Sequence, residues 1–273
     1  MEFTILMSVY YKESSNVFNR AMQSIWDDQT IRPSEIVLVE DGPLTAELYQ
    51  EIDYWQEKLK SVFKVVRLEK NVGTGRAKKA GLEACSYDLI AIMDTDDVSL
   101  PTRFERQLSI FSGDDDIDVC GAWVGEFEHN ESEIVSYRRT PESHDEIVKF
   151  AKSRSPVNHP TAMYKRDLAL SVNGYGKYRT SQDYHLFVKM LVAGGKFYNI
   201  QESLVSMRMG NGQLESRRGG LNNIIIEVTV QREFYRMGFL SFYELFRNIS
   251  VGSIVRMLPQ KILKVVFRII RKL

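Results

Sequence analysis

Cysteine is scarce in this chain. Two residues, Cys85 and Cys120, stand in 273, too few for a disulfide framework and too few to close a structural zinc site. Both lie in or beside apolar runs, which predicts reduced, buried thiols in a cytosolic protein. Long apolar runs are missing as well, and none approaches the roughly 20 residues that span a bilayer. The start, Met1-Glu2-Phe3-Thr4-Ile5-Leu6-Met7-Ser8-Val9, has no basic leader region and no cleavage site. It reads as a first strand rather than a signal peptide. The four histidines show no His-x-x-x-His spacing and no G-x-S-x-G occurs, so the motifs of zinc and serine hydrolases are absent. No internal repeat or low-complexity segment is visible.

Acidic residues are also missing from one place. Lysine plus arginine and aspartate plus glutamate each number 36, yet no acidic residue follows Glu244. The tail instead carries Arg247, Arg256, Lys261, Lys264, Arg268, Arg271 and Lys272, so a net charge of zero conceals an acidic body and a basic tail. On a helical wheel of residues 259–273 the basic side chains gather in roughly a third of the circle and apolar ones fill the rest. Such a helix suits an anionic membrane surface, or else docks on protein with its basic stripe in water.

What is present is an alternation. Strand patterns at 3–9, 35–40, 63–68, 89–93 and 119–124 are separated by helical patterns at 16–26, 45–59, 76–84 and 102–111. Thr45 is placed to cap a helix, and Pro101 sits where one begins. Alternation of this kind predicts an α/β fold with a mostly parallel central sheet flanked by helices. From about residue 126 the segments shorten. Helices are expected at 144–151 and 183–192, and short strands at 196–200 and 204–209. The pattern predicts a division into 1–125, a nucleotide-type half, 126–215, an acceptor-side half of the same domain, and 216–273, a helical extension.

Ligands of parallel α/β sheets bind beyond the carboxyl ends of the strands. Three strands end there in polar residues: Tyr10-Tyr11-Lys12-Glu13, Glu40-Asp41-Gly42 and Asp94-Thr95-Asp96-Asp97. Carboxylates that close together repel one another unless a cation lies between them. Asp94 and Asp96 alternate along extended chain and so face one way. Oxygen ligands alone favour magnesium, manganese or calcium. A solvated acidic turn is the competing reading. Asn71-Val72-Gly73-Thr74-Gly75-Arg76 follows the third strand and opens a helix with a basic start. It matches neither the dinucleotide fingerprint, which Lys78 interrupts, nor a P-loop. Asp183 sits near a helix start, as an N-cap or as a general base. His159 before Pro160 reads as a packed polar residue.

The order of these motifs resembles glycosyltransferase family 2, inverting enzymes of the GT-A fold. The matching residues are Ser8-Val9-Tyr10-Tyr11, Glu40-Asp41-Gly42, Asn71-Val72-Gly73 with Arg76, Asp94-Thr95-Asp96-Asp97 before Pro101, His159-Pro160-Thr161-Ala162-Met163, Asn173-Gly174-Tyr175, Gln182-Asp183-Tyr184-His185-Leu186-Phe187 and Leu204-Val205-Ser206-Met207-Arg208. The resemblance covers roughly residues 3–210. It implies that Val9, Tyr11 and Glu13 line a nucleotide pocket and that Asp41 contacts the uracil or ribose of a UDP-sugar. Asn71, Gly73 and Arg76 would lie near the base. Asp94, Thr95 and Asp96 would form the DXD element, with Asp96 and Asp94 on Mn2+ or Mg2+. Asp183 would be the catalytic base, preceded by Gln182 where the family usually has Glu. The acceptor implied is a saccharide, carried on a polyprenyl diphosphate in cell-surface polysaccharide synthesis. The enzyme would be cytoplasmic, peripheral at the inner face of the membrane through 259–273, and without a nucleic-acid partner. A haloacid-dehalogenase-type phosphohydrolase shares the D-x-D-x-V pattern, but there it follows the first strand of the domain, whereas here three strands precede it. A nucleotidyltransferase is a further alternative.

Overall fold

The computed structural model of the chain describes residues 1–114, 116–209 and 221–257. Four strands form the first half of the sheet: β1 (Phe3–Val9), β2 (Glu35–Glu40), β3 (Phe63–Arg67) and β4 (Leu89–Ile92). They are all parallel and lie in the spatial order β3-β2-β1-β4. β1, β2 and β4 are buried almost throughout, as befits strands covered on both faces. Their side chains alternate between two cores. Phe3, Ile5, Met7, Ile36, Leu38 and Ala91 pack with the helices α1 (Ser15–Trp26) and α2 (Ala46–Leu59). Leu6, Val37, Val39, Ile90 and Ile92 pack on the other face, with α3 (Thr74–Ala84). Thr45 caps α2 as expected, its hydroxyl accepting from Leu48 N at 3.3 Å.

The sheet then becomes mixed. β5 (Val98–Ser99) and α4 (Arg103–Gly113) lead into β6 (Val119–Phe127), and β6 pairs with β7 (Ser136–Arg138). After α5 (His144–Ala151), β8 (Met163–Lys165) wedges antiparallel between β4 and β6. α6 (Arg166–Ser171) and α7 (Gln182–Val192) follow, and β9 (Phe197–Arg208) runs parallel to β6 and antiparallel to β5. The two short strands expected at 196–200 and 204–209 are therefore one strand. Polar Gln201, Glu202 and Ser203 look like a break, but they form a bulge against β6, where the register shifts around Trp123. β6 also runs straight through residue 125, so the two halves expected there share a strand.

Two further helices, α8 (Leu221–Arg236) and α9 (Phe242–Met257), form a hairpin. Val230, Phe234, Phe239 and Leu240 bury themselves against Ala151, Tyr178, Tyr184 and Val188, so the hairpin docks on α5 and α7. Asn248 ties it down, donating to Lys152 O at 2.7 Å and Gln231 Oε1 at 2.9 Å. Among the described residues no helix is long and apolar enough to cross a membrane. The basic segment 259–273 lies outside the described residues.

Candidate active site

The polar strand ends do converge. After β1, Tyr10-Tyr11-Lys12-Glu13 forms a turn, with Glu13 N donating to Tyr10 O at 3.0 Å. Glu13 Oε2 then accepts from Thr95 Oγ1 at 3.0 Å, joining the end of β1 to the acidic loop after β4. β2 ends at Asp41, whose backbone N donates to Val9 O at 2.8 Å. The buried Asp41 carboxylate accepts from Val72 N at 2.7 Å and Gly73 N at 3.0 Å, while Asn71 Nδ2 donates to Asp41 O at 3.1 Å. Asp41 thus shapes the 71–76 loop. Gly42 is required beside it: its φ is +87°, and a Cβ there would stand 2.5 Å from Asn71 N. Tyr11 and Arg76 are exposed beside these elements.

The 71–76 loop also touches the segment that carries Asp183. Arg179 lies beside Gly73, and a Cβ on Gly75 would overlap Gly176 O and meet Tyr178 O at 3.0 Å. α7 begins one residue before Asp183, and the capping position belongs to Ser181, held at a left-handed φ of 61°. Asp183 is therefore not the N-cap. Its carboxylate is half-buried, and no hydrogen bond reaches it among the described residues. A carboxylate left without a donor keeps its lone pairs for a ligand proton.

Asp94 is in the opposite situation. Its Oδ1 pairs with Lys78 Nζ at 2.6 Å, and its Oδ2 lies 3.8 Å from His159 Nδ1. Lys78 is wholly buried. Gly81, one turn later on α3, allows the helix to close onto Leu6 and Val39, and this carries Lys78 into the interior. Burial alone would raise the Asp94 carboxyl, but Lys78 and His159 outweigh it and hold it well below the usual carboxylate range. Behind it, His159 Nε2 pairs with Tyr175 Oη at 3.1 Å, and Tyr175 Oη with Tyr164 Oη at 3.2 Å. Burial first, and then Tyr164, Asp183 and Asp94, raise the Tyr175 phenol well above its ordinary value. One hydroxyl thus senses both key carboxylates. Asp97 turns inward instead, its Oδ1 accepting from Arg208 N at 3.0 Å. Burial, then Asp96 and Asp94, push its carboxyl well up.

The donor set bears on the expected metal. No group of three or more His, Cys, Asp or Glu converges among the described residues, so there is no all-protein cage. Magnesium and manganese do not need one, because one or two carboxylates suffice when water and diphosphate oxygens complete the shell. Half-buried Asp96 and Asp94 fit that pattern. Both Asp94 oxygens face protein partners, Lys78 and His159.

Glu233 escapes sequence reasoning, while Lys78 there reads as part of a basic helix start, and Tyr175 and His159 as motif residues without a stated role. Glu233, on α8, accepts from Tyr178 Oη at 2.7 Å and pairs with His185 Nε2 at 2.6 Å. His185 is two residues beyond Asp183, so the C-terminal hairpin clamps α7 and its leading loop. The only sequence signal for the burial of Lys78 is its neighbours, since Ala77 and Gly81 mark a close-packed helix face.

Comparison with known proteins fits this geometry. The family model for glycosyl transferase family 2 matches residues 4–171. The chain belongs to that family. A family 2 relative from Escherichia coli, UDP-Gal:alpha-D-GlcNAc-diphosphoundecaprenol beta-1,3-galactosyltransferase, is 37% identical over 94% of this chain and 92% of its own. The amylovoran biosynthesis glycosyltransferase AmsE of Erwinia amylovora is 33% identical over 99% of both chains. Among solved structures, S. aureus TarS 1-349 in complex with UDP-GlcNAc superposes with a TM-score of 0.68 at 16% identity, covering 86% of this chain and 66% of that one. The full TarS chain is longer, and 43% of it is covered. The fold is GT-A, which removes the haloacid-dehalogenase alternative, and membership of the family removes the nucleotidyltransferase one.

Proposed function

We propose that this family 2 glycosyltransferase moves a sugar from a UDP-sugar to a hydroxyl of a lipid-linked saccharide, with inversion at the anomeric carbon. The observation that carries the reading is the placement of Asp183. Its carboxylate is free of donors among the described residues, at the start of a helix whose leading loop is pressed against the 71–76 loop. In the reaction, Asp183 takes the proton of the acceptor hydroxyl, and that oxygen attacks the anomeric carbon. The bond from that carbon to the diphosphate breaks, UDP leaves, and an α-linked donor gives a β-linked product.

The donor side is assigned to Val9, Tyr11, Glu13, Asp41, Asn71, Gly73, Arg76, Asp94, Thr95 and Asp96. The donor class is supported by the UDP-Gal of the E. coli relative's name and the UDP-GlcNAc in the TarS structure. Mn2+ or Mg2+ held by Asp96, with Asp94 beside it, would neutralise the diphosphate and ease its departure. Mn2+ in the mannosyltransferase PcManGT from Pyrobaculum calidifontis, which shares the fold at a TM-score of 0.65 and 12% identity, supports that choice. Residues 1–125 would serve the donor and 126–215 the acceptor. The diphosphoundecaprenol of the E. coli relative's name supports a polyprenyl-diphosphate-linked acceptor at the inner face of the cytoplasmic membrane, with 259–273 as a peripheral anchor.

The test is UDP release from candidate UDP-sugars with manganese, with and without chelator, in the presence of a diphosphate-lipid-linked acceptor. Transfer lost in Asp183→Asn and in chelator supports the reading. Transfer that persists in Asp183→Asn sinks the assignment of the base.

A further inference from the structure

The outer face of the α8–α9 hairpin is not explained by the active site. Phe242, Tyr243, Phe246 and Ile254 are 69%, 73%, 65% and 62% exposed. Tyr235, on α8, is exposed too, and its ring lies 6.4 Å from that of Phe242. These side chains do not hold the hairpin in place, because its inner face is already committed through Val230, Phe234 and Asn248. Contiguous exposed aromatic groups of this kind mark a docking surface.

Charge selects the occupant. Arg232 and Arg236 are exposed alongside Tyr235 on α8. The acid of α9, Glu244, is occupied with Ser241 N at 2.7 Å. No acidic residue follows it, and the chain runs on for 16 residues beyond Met257 with five more Lys or Arg. A second copy of the chain would bring the same positive rim against this one, a like-charge contact that disfavours self-association. Tyrosine and phenylalanine between cations match the depth profile of a bilayer surface, with rings among the headgroups and guanidinium groups on lipid phosphates.

We infer that this face of α8–α9 docks on an anionic lipid surface, with Tyr235, Phe242, Tyr243 and Phe246 at headgroup depth. The surface is distinct from 259–273, and the inference does not depend on the identity of the sugar or on the role of Asp183. It has a geometric consequence. Glu233 of the same hairpin holds His185 of α7, so a bilayer bound here would lie one helical layer from the catalytic base.

Because Cys85 and Cys120 are buried, a Phe246→Cys substitution in the full chain supplies a single reactive thiol for an environment-sensitive NBD label. On vesicles of phosphatidylglycerol and phosphatidylcholine in equal parts, the label's emission should shift to the blue and strengthen several-fold, with no change on phosphatidylcholine alone. The paired substitution Phe242→Ser with Phe246→Ser should lower the vesicle-bound fraction by about tenfold. If that pair unfolds the hairpin, the label alone decides. A label that stays unchanged while the protein floats with vesicles overturns the inference, leaving the basic tail as the sole anchor. So does emission that is already blue without lipid, whether the chain is then a dimer, covered by its own copy, or a monomer, covered by its own tail.

Discussion

Asp183 and Asp94 are chemically the same residue and behave as opposites because of what surrounds them. Asp94 faces buried Lys78 and His159, which keep it charged and occupied. Asp183 accepts no hydrogen bond among the described residues. Replacing Asp183 with Asn should therefore lower the transfer rate by about 10²–10⁴-fold while leaving donor binding intact, as measured by calorimetric titration with UDP. Lys78→Met acts on the other carboxylate. It strands a partly buried charge and should cost about 2 kcal/mol or more in urea unfolding, with donor binding weakened as Asp94 reorients. The two thiols give a third test. Burial pushes Cys85 and Cys120 up to about 12, so neither should react with a thiol reagent at pH 8 until the chain is denatured. The linkage has a definite sign. The unfolded thiols ionise near their ordinary value of 9.0 while the folded ones keep their protons, so stability falls as the pH rises above 9.

At the scale of elements, the start of α7 is positioned twice over. Ser181 starts it in a left-handed conformation, and Glu233 grips His185 one turn in. The two partners shift in ways that first look inconsistent. Burial and Lys189 lower the His185 imidazole despite Glu233, whereas Tyr178 and His185 lower the Glu233 carboxyl against its burial. A neutral imidazole donating Nε2–H to an ionised carboxylate satisfies both. The buried His185 Nδ1 has no hydrogen-bond partner among the described residues, and a lone pair is cheaper to leave there than an N–H. Below the ordinary imidazole value of 6.5 the unfolded chain gains a proton that folded His185 resists, so stability should fall as the pH drops through that value. His185→Gln should flatten this slope in urea midpoints taken at several pH values. Glu233→Gln should lower kcat by about tenfold with the donor KM little changed, since it loosens the base without touching the donor side. Much of this scale is legible in the sequence. β1, β2 and β4 follow from their unbroken apolar runs, and their helices from periodicity. β5, β7, β8 and α6 do not, since two to six residues carry no period. At the site, motif residues Asp41, Asp94 and Asp183 can be picked out, whereas Lys78, Tyr175 and Glu233 owe their roles to burial or to partners 16 to 55 residues away.

At the scale of the whole molecule, the C-terminal hairpin docks on α5 and α7 and leaves an aromatic face exposed. A chain ending at Met257 should float with anionic vesicles less than the full chain, the difference measuring what 259–273 contributes. Equal flotation would remove the anchor role of that segment. β9 carries a different kind of consequence. It is the strand that fixes the acidic loop: β5 pairs with it, Leu100 N donates to Leu204 O at 3.0 Å, and Arg208 N donates to Asp97. More than a hundred residues separate Asp97 from Arg208, and synthesis runs from one to the other. A nascent chain that has already completed β1 to β4 therefore holds its acidic loop by Glu13 and Lys78 alone until residue 208 leaves the ribosome. In that order of events the parallel half folds first and the acidic loop is completed last, so a ribosome stalled short of β9 should display a formed parallel sheet with that loop still open on its β9 side.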